Sequence, residues 1–227
     1  MMNSNVYKKK ASDFQLLSLQ GRDTESLVTL CKDHKASQEQ QDISCYLVFK
    51  QQTPHFYSLR KHRINASRFN GYDSVDENCI AFMSLLNDSA IEEVEVDFPL
   101  ALYRFTNRHH IFNLLLSLKE HFEHNTLNIR LPLASIASEQ ELEGITKLCL
   151  VAGADNLTMS LDIKAKKEQD GYISLVLKLL KRFFVTDSCG IIYSGLTTIP
   201  AMERIVALSK EELGDEWVET TFLKFEC

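Results

Sequence analysis

The clearest fold signal in this sequence is the stretch Ala152-Gly153-Ala154-Asp155-Asn156-Leu157-Thr158-Met159-Ser160. It follows a segment with helical spacing of its apolar residues, and its glycine and aspartate are typical turn residues. The stretch therefore predicts the end of a helix, a tight turn and a short strand.

The same alternation of helix and strand recurs along the chain. The predicted strands cover residues 14–19, 43–49, 63–69, 94–98, 127–133, 156–160, 190–193 and 221–225, and helical periodicity marks residues 24–33, 74–86, 111–122, 138–151, 172–184 and 200–213. This pattern predicts a single (β/α)8 TIM barrel at residues 13–227, lacking the final helix, after a flexible tail at residues 1–12. A doubly wound open sheet is the alternative, which the absence of a Gly-x-Gly-x-x-Gly or P-loop pattern after the first strand weakens.

Composition narrows the functional classes. The chain has 227 residues, 44% hydrophobic content and a net charge of −6, which supplies no excess of lysine and arginine for nucleic acid. No apolar run approaches the roughly 18 residues of a membrane span, and no secretory signal is evident. The cysteines are scattered without a C-x-x-C pair, as in reduced proteins. We expect a cytoplasmic protein that binds neither nucleic acid nor membrane.

Four patches of sequence resemble the deoxyribose-phosphate aldolase family. They are Asp23-Thr24-Glu25, Glu93-Val94-Glu95-Val96-Asp97-Phe98-Pro99, Ala152-Gly153-Ala154-Asp155 and Leu213-Gly214-Asp215-Glu216-Trp217. The resemblance implies a TIM barrel and a cofactor-free aldehyde-lyase of deoxyribonucleotide catabolism. Such an enzyme acts on 2-deoxyribose 5-phosphate through a lysine Schiff base.

The residues that carry this chemistry in the family differ here. By resemblance, Thr158 stands at the Schiff-base lysine, Ile192 at the second lysine and Asn128 at a further lysine, whereas Glu95 keeps an acidic group. A threonine hydroxyl cannot condense with a carbonyl to an imine. The substitutions predict a barrel without aldolase activity.

The phosphate-binding glycines of the family are also replaced. Leu196 stands at the second glycine after strand seven, and Glu226 stands where glycine would follow strand eight. The remaining role would be to bind a small polar molecule or a protein partner, and a homodimer is plausible. The alternative is an active aldehyde-lyase that uses Glu95 with a relocated lysine such as Lys164, or with a metal.

Strand four predicts an acidic barrel interior. Its alternation puts Glu93, Glu95 and Asp97 on one face. One hypothesis is that Arg130 on the next strand pairs with Glu95 or Asp97, since unpaired buried charge is costly. The alternatives are that Glu93 or Asp97 lies in solvent at a strand end, or that the three acids bind a divalent metal with help from His109-His110.

Two serines complete the predicted interior. Ser160 ends strand six and Ser194 directly follows strand seven, where their hydroxyls could hydrogen-bond a ligand at the barrel mouth. Neither has a histidine and an acid at the spacing of a hydrolase triad, so no such activity is predicted.

Overall fold

A computed structural model describes residues 17–18, 43–50, 53–64, 91–161, 166–196, 198–220 and 222–226. The predicted tail at 1–12, the predicted helices at 24–33 and 74–86, and Lys164 lie outside these residues.

The sheet closes into a barrel. Its strands are β1 (Leu17–Ser18), β2 (Ile43–Lys50), β3 (Thr53–Ile64), β4 (Glu93–Asp97), β5 (Thr126–Leu131), β6 (Asn156–Ser160), β7 (Gly190–Ser194) and β8 (Leu223–Glu226). The spatial order is β1-β3-β2-β8-β7-β6-β5-β4, and β3 also pairs with β4. The closed ring therefore contains seven strands, and β1 lies outside it on β3.

The ring differs from the predicted (β/α)8 arrangement at its first strands. β2 and β3 form an antiparallel hairpin, and β2 is also antiparallel to β8. The other neighbours in the ring are parallel. The strand predicted at 63–69 starts too late, because β3 begins ten residues earlier at Thr53, and residues 65–69 lie outside the described ranges. A hairpin needs only a tight turn, so no helix separates these two strands.

The helices follow the predicted pattern more closely. They are α1 (Leu100–Phe105), α2 (Arg108–His121), α3 (Glu139–Val151), α4 (Lys166–Arg182), α5 (Ile199–Leu213) and α6 (Asp215–Val218), with a 3-10 turn at Leu133–Ser135. Their buried side chains, such as Ile145 and Val176, belong to the same apolar core as Leu157 and Ile191 on the outward face of the sheet. The opposite face of each strand is thereby left for the interior.

The stretch at 152–160 forms the predicted turn and strand. Gly153 has a φ of 83°, the left-handed conformation that glycine adopts without a Cβ penalty and that commonly ends a helix. Asp155 Oδ2 then accepts hydrogen bonds from Leu127 N at 2.7 Å and Lys119 Nζ at 2.5 Å. This carboxylate holds the start of β6 against the start of β5 and so sets the depth of Thr158 in the barrel.

A second glycine brings the ends of β6 and β7 together. Gly195 has a φ of 86°, and a Cβ at this position would lie 2.6 Å from the carbonyl oxygen of Leu161. Leu161 N also donates to Ser194 O at 2.9 Å. The close approach places Ser160 beside Ser194.

The single tryptophan of the chain precedes the last strand. Trp217 lies in α6 with only 6% of its surface exposed, and its Nε1 donates to Thr186 O at 2.9 Å. The indole thus links the segment that leads into β8 to the loop before β7.

Candidate functional site

The inner face of the barrel is polar along most of its length. Strand register places Glu95 beside Asn128, Arg130 beside Thr158, and Ile192 beside both Thr158 and Lys224. Because neighbouring residues in parallel strands share a face, these side chains all point inward. They form two layers and a rim, which runs along the carboxyl ends of the parallel strands.

The lower layer is centred on Glu93, which is 1% exposed. Its Oε2 accepts hydrogen bonds from Tyr46 Oη at 2.7 Å and Asn128 Nδ2 at 3.0 Å, and its Oε1 accepts from Lys224 Nζ at 3.3 Å. Asn156 Nδ2 donates to Asn128 Oδ1 at 2.7 Å, which fixes the orientation of that amide. Glu93 is thus paired with a cation on β8, which lies across the closed ring from β4.

The upper layer is centred on Glu95, which is fully buried. Its Oε1 accepts from Arg130 Nε at 2.9 Å and Arg130 Nη2 at 2.7 Å. Its Oε2 accepts from Thr158 Oγ1 at 2.8 Å and Lys61 Nζ at 3.4 Å. Of the two partners considered for Arg130, Glu95 is the one in hydrogen-bond contact, since Arg130 Nε lies 3.8 Å from Asp97 Oδ1.

Glu226 joins this layer from the last strand. It contacts Lys61 Nζ directly, and its Oε1 also accepts from Ser44 Oγ at 3.1 Å. Its Oε2 lies 3.3 Å from Arg130 Nη2. Lys61 and Arg130 therefore each bridge Glu95 and Glu226 across the barrel.

The rim carries the more exposed groups. Arg63 donates to Asp97 Oδ1 through Nε at 3.1 Å and Nη2 at 2.7 Å, and its side chain is 48% exposed. Arg130 Nη1 contacts Ser160 Oγ and donates to Ser194 Oγ at 3.0 Å. The two serine oxygens lie 2.9 Å apart. The structure thus brings both predicted serines together with Arg130 at the mouth.

Ile192 lies in a separate apolar cluster. This second cluster of buried residues consists of Ile192, Tyr46, Val48, Tyr57 and Leu59. The position matched to a family lysine is therefore filled by an alkyl group among apolar and aromatic neighbours.

The interior charges balance. The cations Lys61, Arg63, Arg130 and Lys224 face the anions Glu93, Glu95, Asp97 and Glu226, and each has an opposite charge within salt-bridge distance. Breaking one such buried pair leaves an uncompensated ion, which costs several kcal/mol. The alternative in which Glu93 lies in solvent is therefore wrong, whereas Asp97 is partly exposed at the strand end.

The pKa values follow this pairing. Burial acts to raise the pKa of Glu93, but the charge of Lys224 and the hydrogen bonds from Tyr46 and Asn128 outweigh it and hold that pKa below the ordinary value. The pKa of Glu226 is lowered in the same way, because Lys61 and Arg130 outweigh its burial. Both carboxylates are therefore ionised at neutral pH.

Tyr46 stays a neutral hydrogen-bond donor in this environment. Burial, followed by the negative charges of Glu93 and Glu226, raises its pKa well above the ordinary tyrosine value. Its ring lies 5.6 Å from Lys61 Nζ and 5.6 Å from Lys224 Nζ, within the range of cation–π contacts. Tyr46 thus contacts both buried lysines while it donates to Glu93.

Neither interior lysine was predicted from the sequence. Lys224 fell inside a correctly predicted strand, and the alternation Lys224-Phe225-Glu226 could have placed it on the inner face. Lys61 lay outside the predicted strands, because the β2–β3 hairpin was not recognised. Glu226 was interpreted as a residue after the strand, whereas it ends β8 and points inward.

The metal alternative does not match the geometry. Within the described ranges, no group of three histidine, cysteine or acidic side chains is arranged to hold a metal ion. Glu93 and Glu95 accept hydrogen bonds from cations instead. His109 lies on the exposed face of helix α2, where its Nε2 is 3.3 Å from Asn113 Nδ2.

These features define a closed α/β barrel with an ion-paired interior. The fold is shared with a crystal structure assigned as a deoxyribose-phosphate aldolase from Toxoplasma gondii ME49, at a TM-score of 0.58 and 15% identity over 73% of this chain and 66% of that chain. A second structure, described as an aldolase, gives a TM-score of 0.51 at 12% identity over 70% of this chain and 73% of the other. At these identities the likeness shows the fold.

The sequence itself matches no protein-family model and no curated protein. Among the helices that the structure describes, none combines the length and apolar character needed to cross a bilayer.

Proposed function

We propose that this chain is an aldolase-like barrel without aldolase activity, which binds a small polar molecule at its mouth. The proposal depends on the position and hydrogen bonding of Thr158. Its hydroxyl occupies the position matched to the Schiff-base lysine and donates to Glu95, and the remaining hydrogen bonds of Glu95 come from Arg130 and Lys61. The centre of the barrel is thus a closed set of ion pairs.

The mouth is the part of the barrel that remains accessible. Active and binding sites of α/β barrels lie at the carboxyl ends of the strands. Here Arg63 and Ser160 are exposed at that end, whereas Glu95 below them is fully buried. A ligand would therefore rest on the ion pairs and would not reach the interior.

The proposal is tested by reductive trapping. The protein is incubated with 2-deoxyribose 5-phosphate and borohydride, and its intact mass is measured. We expect no adduct and no release of acetaldehyde, because an amine held in an ion pair is not a free nucleophile. A working deoxyribose-phosphate aldolase treated in parallel verifies that the conditions trap an imine.

One observation favours a second candidate, an aldehyde-lyase that uses Lys61. The amine of Lys61 lies 3.4 Å from the same Glu95 oxygen that accepts from Thr158. It therefore approaches the place where the family's lysine would be. If trapping does give an adduct, peptide mapping should find it on Lys61, and Lys61→Arg should abolish it, whereas Lys224→Arg should not.

A further inference from the structure

We infer that the mouth binds an uncharged, polyhydroxylated molecule in preference to a sugar phosphate. The site consists of Arg63, Asp97, Arg130, Ser160 and Ser194. The inference rests on the proposed function, in which the ligand is held by non-covalent contacts, and it adds the chemical class of that ligand.

The charged side chains of the site are each paired with an opposite charge. Arg63 is paired with Asp97, and Arg130 is paired with Glu95 and Glu226. Among the described residues at the mouth, both of these cations already have anionic partners. A phosphate would approach the Asp97 carboxylate as closely as the Arg63 guanidinium, so repulsion would offset attraction. Charge balance therefore favours a neutral ligand.

The two serines of the site can hydrogen-bond a ligand. Both oxygens are acceptors for Arg130 Nη1, and they lie 2.9 Å from each other. A hydroxyl has a single hydrogen, so one serine donates to the other and the second hydrogen remains free to donate. The pair therefore offers one oriented O–H donor at the mouth.

The Arg63–Asp97 pair can also hydrogen-bond a ligand. Arg63 uses Nε and Nη2, and both contact Asp97 Oδ1. Within the part of the chain that the structure describes, Arg63 Nη1 and Asp97 Oδ2 take part in no hydrogen bond. They leave one donor and one acceptor available on this partly exposed pair.

The hydroxyls of a polyol can partner all of these donors and acceptors. Each hydroxyl of a polyol can donate one hydrogen bond and accept two. One hydroxyl can donate to Asp97 Oδ2 while it or its neighbour accepts from Arg63 Nη1, and a further hydroxyl can accept from the serine pair. A phosphate has acceptors only, except when protonated, and would leave the Asp97 acceptor without a partner.

The experiment compares ribitol, which has neither charge nor carbonyl, with 2-deoxyribose 5-phosphate and inorganic phosphate. Dissociation constants are measured by ligand-observed NMR on the full chain at constant ionic strength. We expect ribitol to bind at millimolar concentration and the sugar phosphate to bind no more tightly. Ser160→Ala and Asp97→Asn should each weaken ribitol binding by about fivefold, the effect of losing one hydrogen bond. Ser188→Ala is the control. Ser188 lies in the loop before β7, at the other end of the barrel from the mouth, so ribitol binding should be unchanged.

Two outcomes would overturn the inference. One is the absence of ribitol binding up to about 100 mM, well above the range expected for several hydrogen bonds. The other is tenfold or tighter binding of the sugar phosphate that is lost in Arg63→Gln. Thermal unfolding of Ser160→Ala verifies that this exposed position does not alter folding.

Different results would contradict the inferred ligand class and the proposed function. Cleavage of 2-deoxyribose 5-phosphate or a trapped imine contradicts the absence of aldolase activity, whatever ribitol does. Preferential binding of the sugar phosphate without cleavage contradicts only the inferred ligand class.

Discussion

At the scale of single residues, the interior of this barrel is determined by which charges face one another. Glu95 accepts four hydrogen bonds from three side chains, and none of those donors is adjacent to it in sequence. Arg130 supplies two of them and lies on the neighbouring strand. Such a group is stable when buried only while its partners remain, because burial removes the water that would otherwise solvate it.

Replacing Arg130 tests this dependence. Arg130→Met keeps much of the side-chain volume but removes the charge, so Glu95 loses two hydrogen bonds and Glu226 loses one contact. We expect a loss of about 3–5 kcal/mol in the free energy of unfolding, measured by urea denaturation.

Arg104→Met is the matched control. Arg104 makes a bidentate contact with Glu141 on the surface of α1. Its Nε lies 2.8 Å from Oε1 and its Nη2 lies 2.9 Å from Oε2. Exposed pairs contribute little, so its effect should be much smaller. Equal losses in the two variants would show that burial does not strengthen the Arg130 contacts.

A subtler change tests the hydroxyl at the centre of the proposal. Thr158→Val keeps the shape of the side chain and deletes the donor to Glu95 Oε2. We expect a loss of about 1–3 kcal/mol, the cost of leaving a buried acceptor short of one partner. Thr126→Val, at the half-buried start of β5, is the control and should differ little from the wild type.

At the scale of elements, the parallel part of the fold was predictable and the antiparallel part was not. β6 was predicted with its observed bounds because the Gly153–Asp155 turn marks its start. The bounds of β3 were not predicted, because its inner face ends in Lys61 and Arg63. Basic residues at alternate positions usually indicate that this face of a strand is exposed to solvent. The anionic partners of Lys61 and Arg63 lie on β4 and β8, and only the closed ring brings these strands together.

The turn after β7 offers a test at this scale. Gly195→Ala introduces a Cβ 2.6 Å from Leu161 O and imposes a side chain on a left-handed backbone. The Gly153→Ala variant carries a similar φ, but its nearest contact would be an ordinary 3.8 Å. We expect Gly153→Ala to lower the free energy of unfolding by about 1–2 kcal/mol, because a side chain disfavours this backbone conformation. Gly195→Ala should lose clearly more, because a carbonyl oxygen must also move.

Chemical denaturation of both glycine variants measures the difference. If the two lose equal stability, the close approach of β6 and β7 is not rigid. The placement of Ser160 beside Ser194 would then have to depend on Arg130 alone.

At the scale of the whole molecule, the seam between β2 and β8 is the weakest part of the ring. Only two residue pairs are in register there among the described residues, Tyr46 with Glu226 and Leu47 with Phe225, whereas the other seams of the ring have at least four. Side chains add to this short ladder, since Glu226 binds both Ser44 and Lys61. We infer that the ion pairs compensate for the missing backbone pairs.

Acid should therefore weaken the closed ring. The pKa values of Glu93 and Glu226 are lowered in the folded protein, so their contribution is fully present above the ordinary glutamate pKa of 4.5. It is lost as the pH falls below that value and through the lowered folded pKa. Melting temperatures measured from pH 7 to pH 3 should drop most steeply below about pH 4.5. Glu226→Gln should make the melting temperature depend less on pH. An unchanged slope would contradict the role of Glu226 in this acid sensitivity.

Hydrogen exchange locates where the ring opens. We expect amides of β2 that face β8 to exchange before those between β6 and β7, since short ladders open locally at lower free energy. Glu226→Gln should accelerate exchange in β2 while leaving β6 unchanged. Glu141→Gln, on the surface of α3, should affect neither strand.

The position of Trp217 gives the molecule a built-in optical reporter. Its indole is shielded from water and tied to Thr186, immediately ahead of the final strand. When that strand detaches, the ring nitrogen would meet solvent and the emission maximum would move to longer wavelength. A red-shifted spectrum arising before far-ultraviolet circular dichroism changes would therefore reveal a barrel that has come open while its helices remain intact.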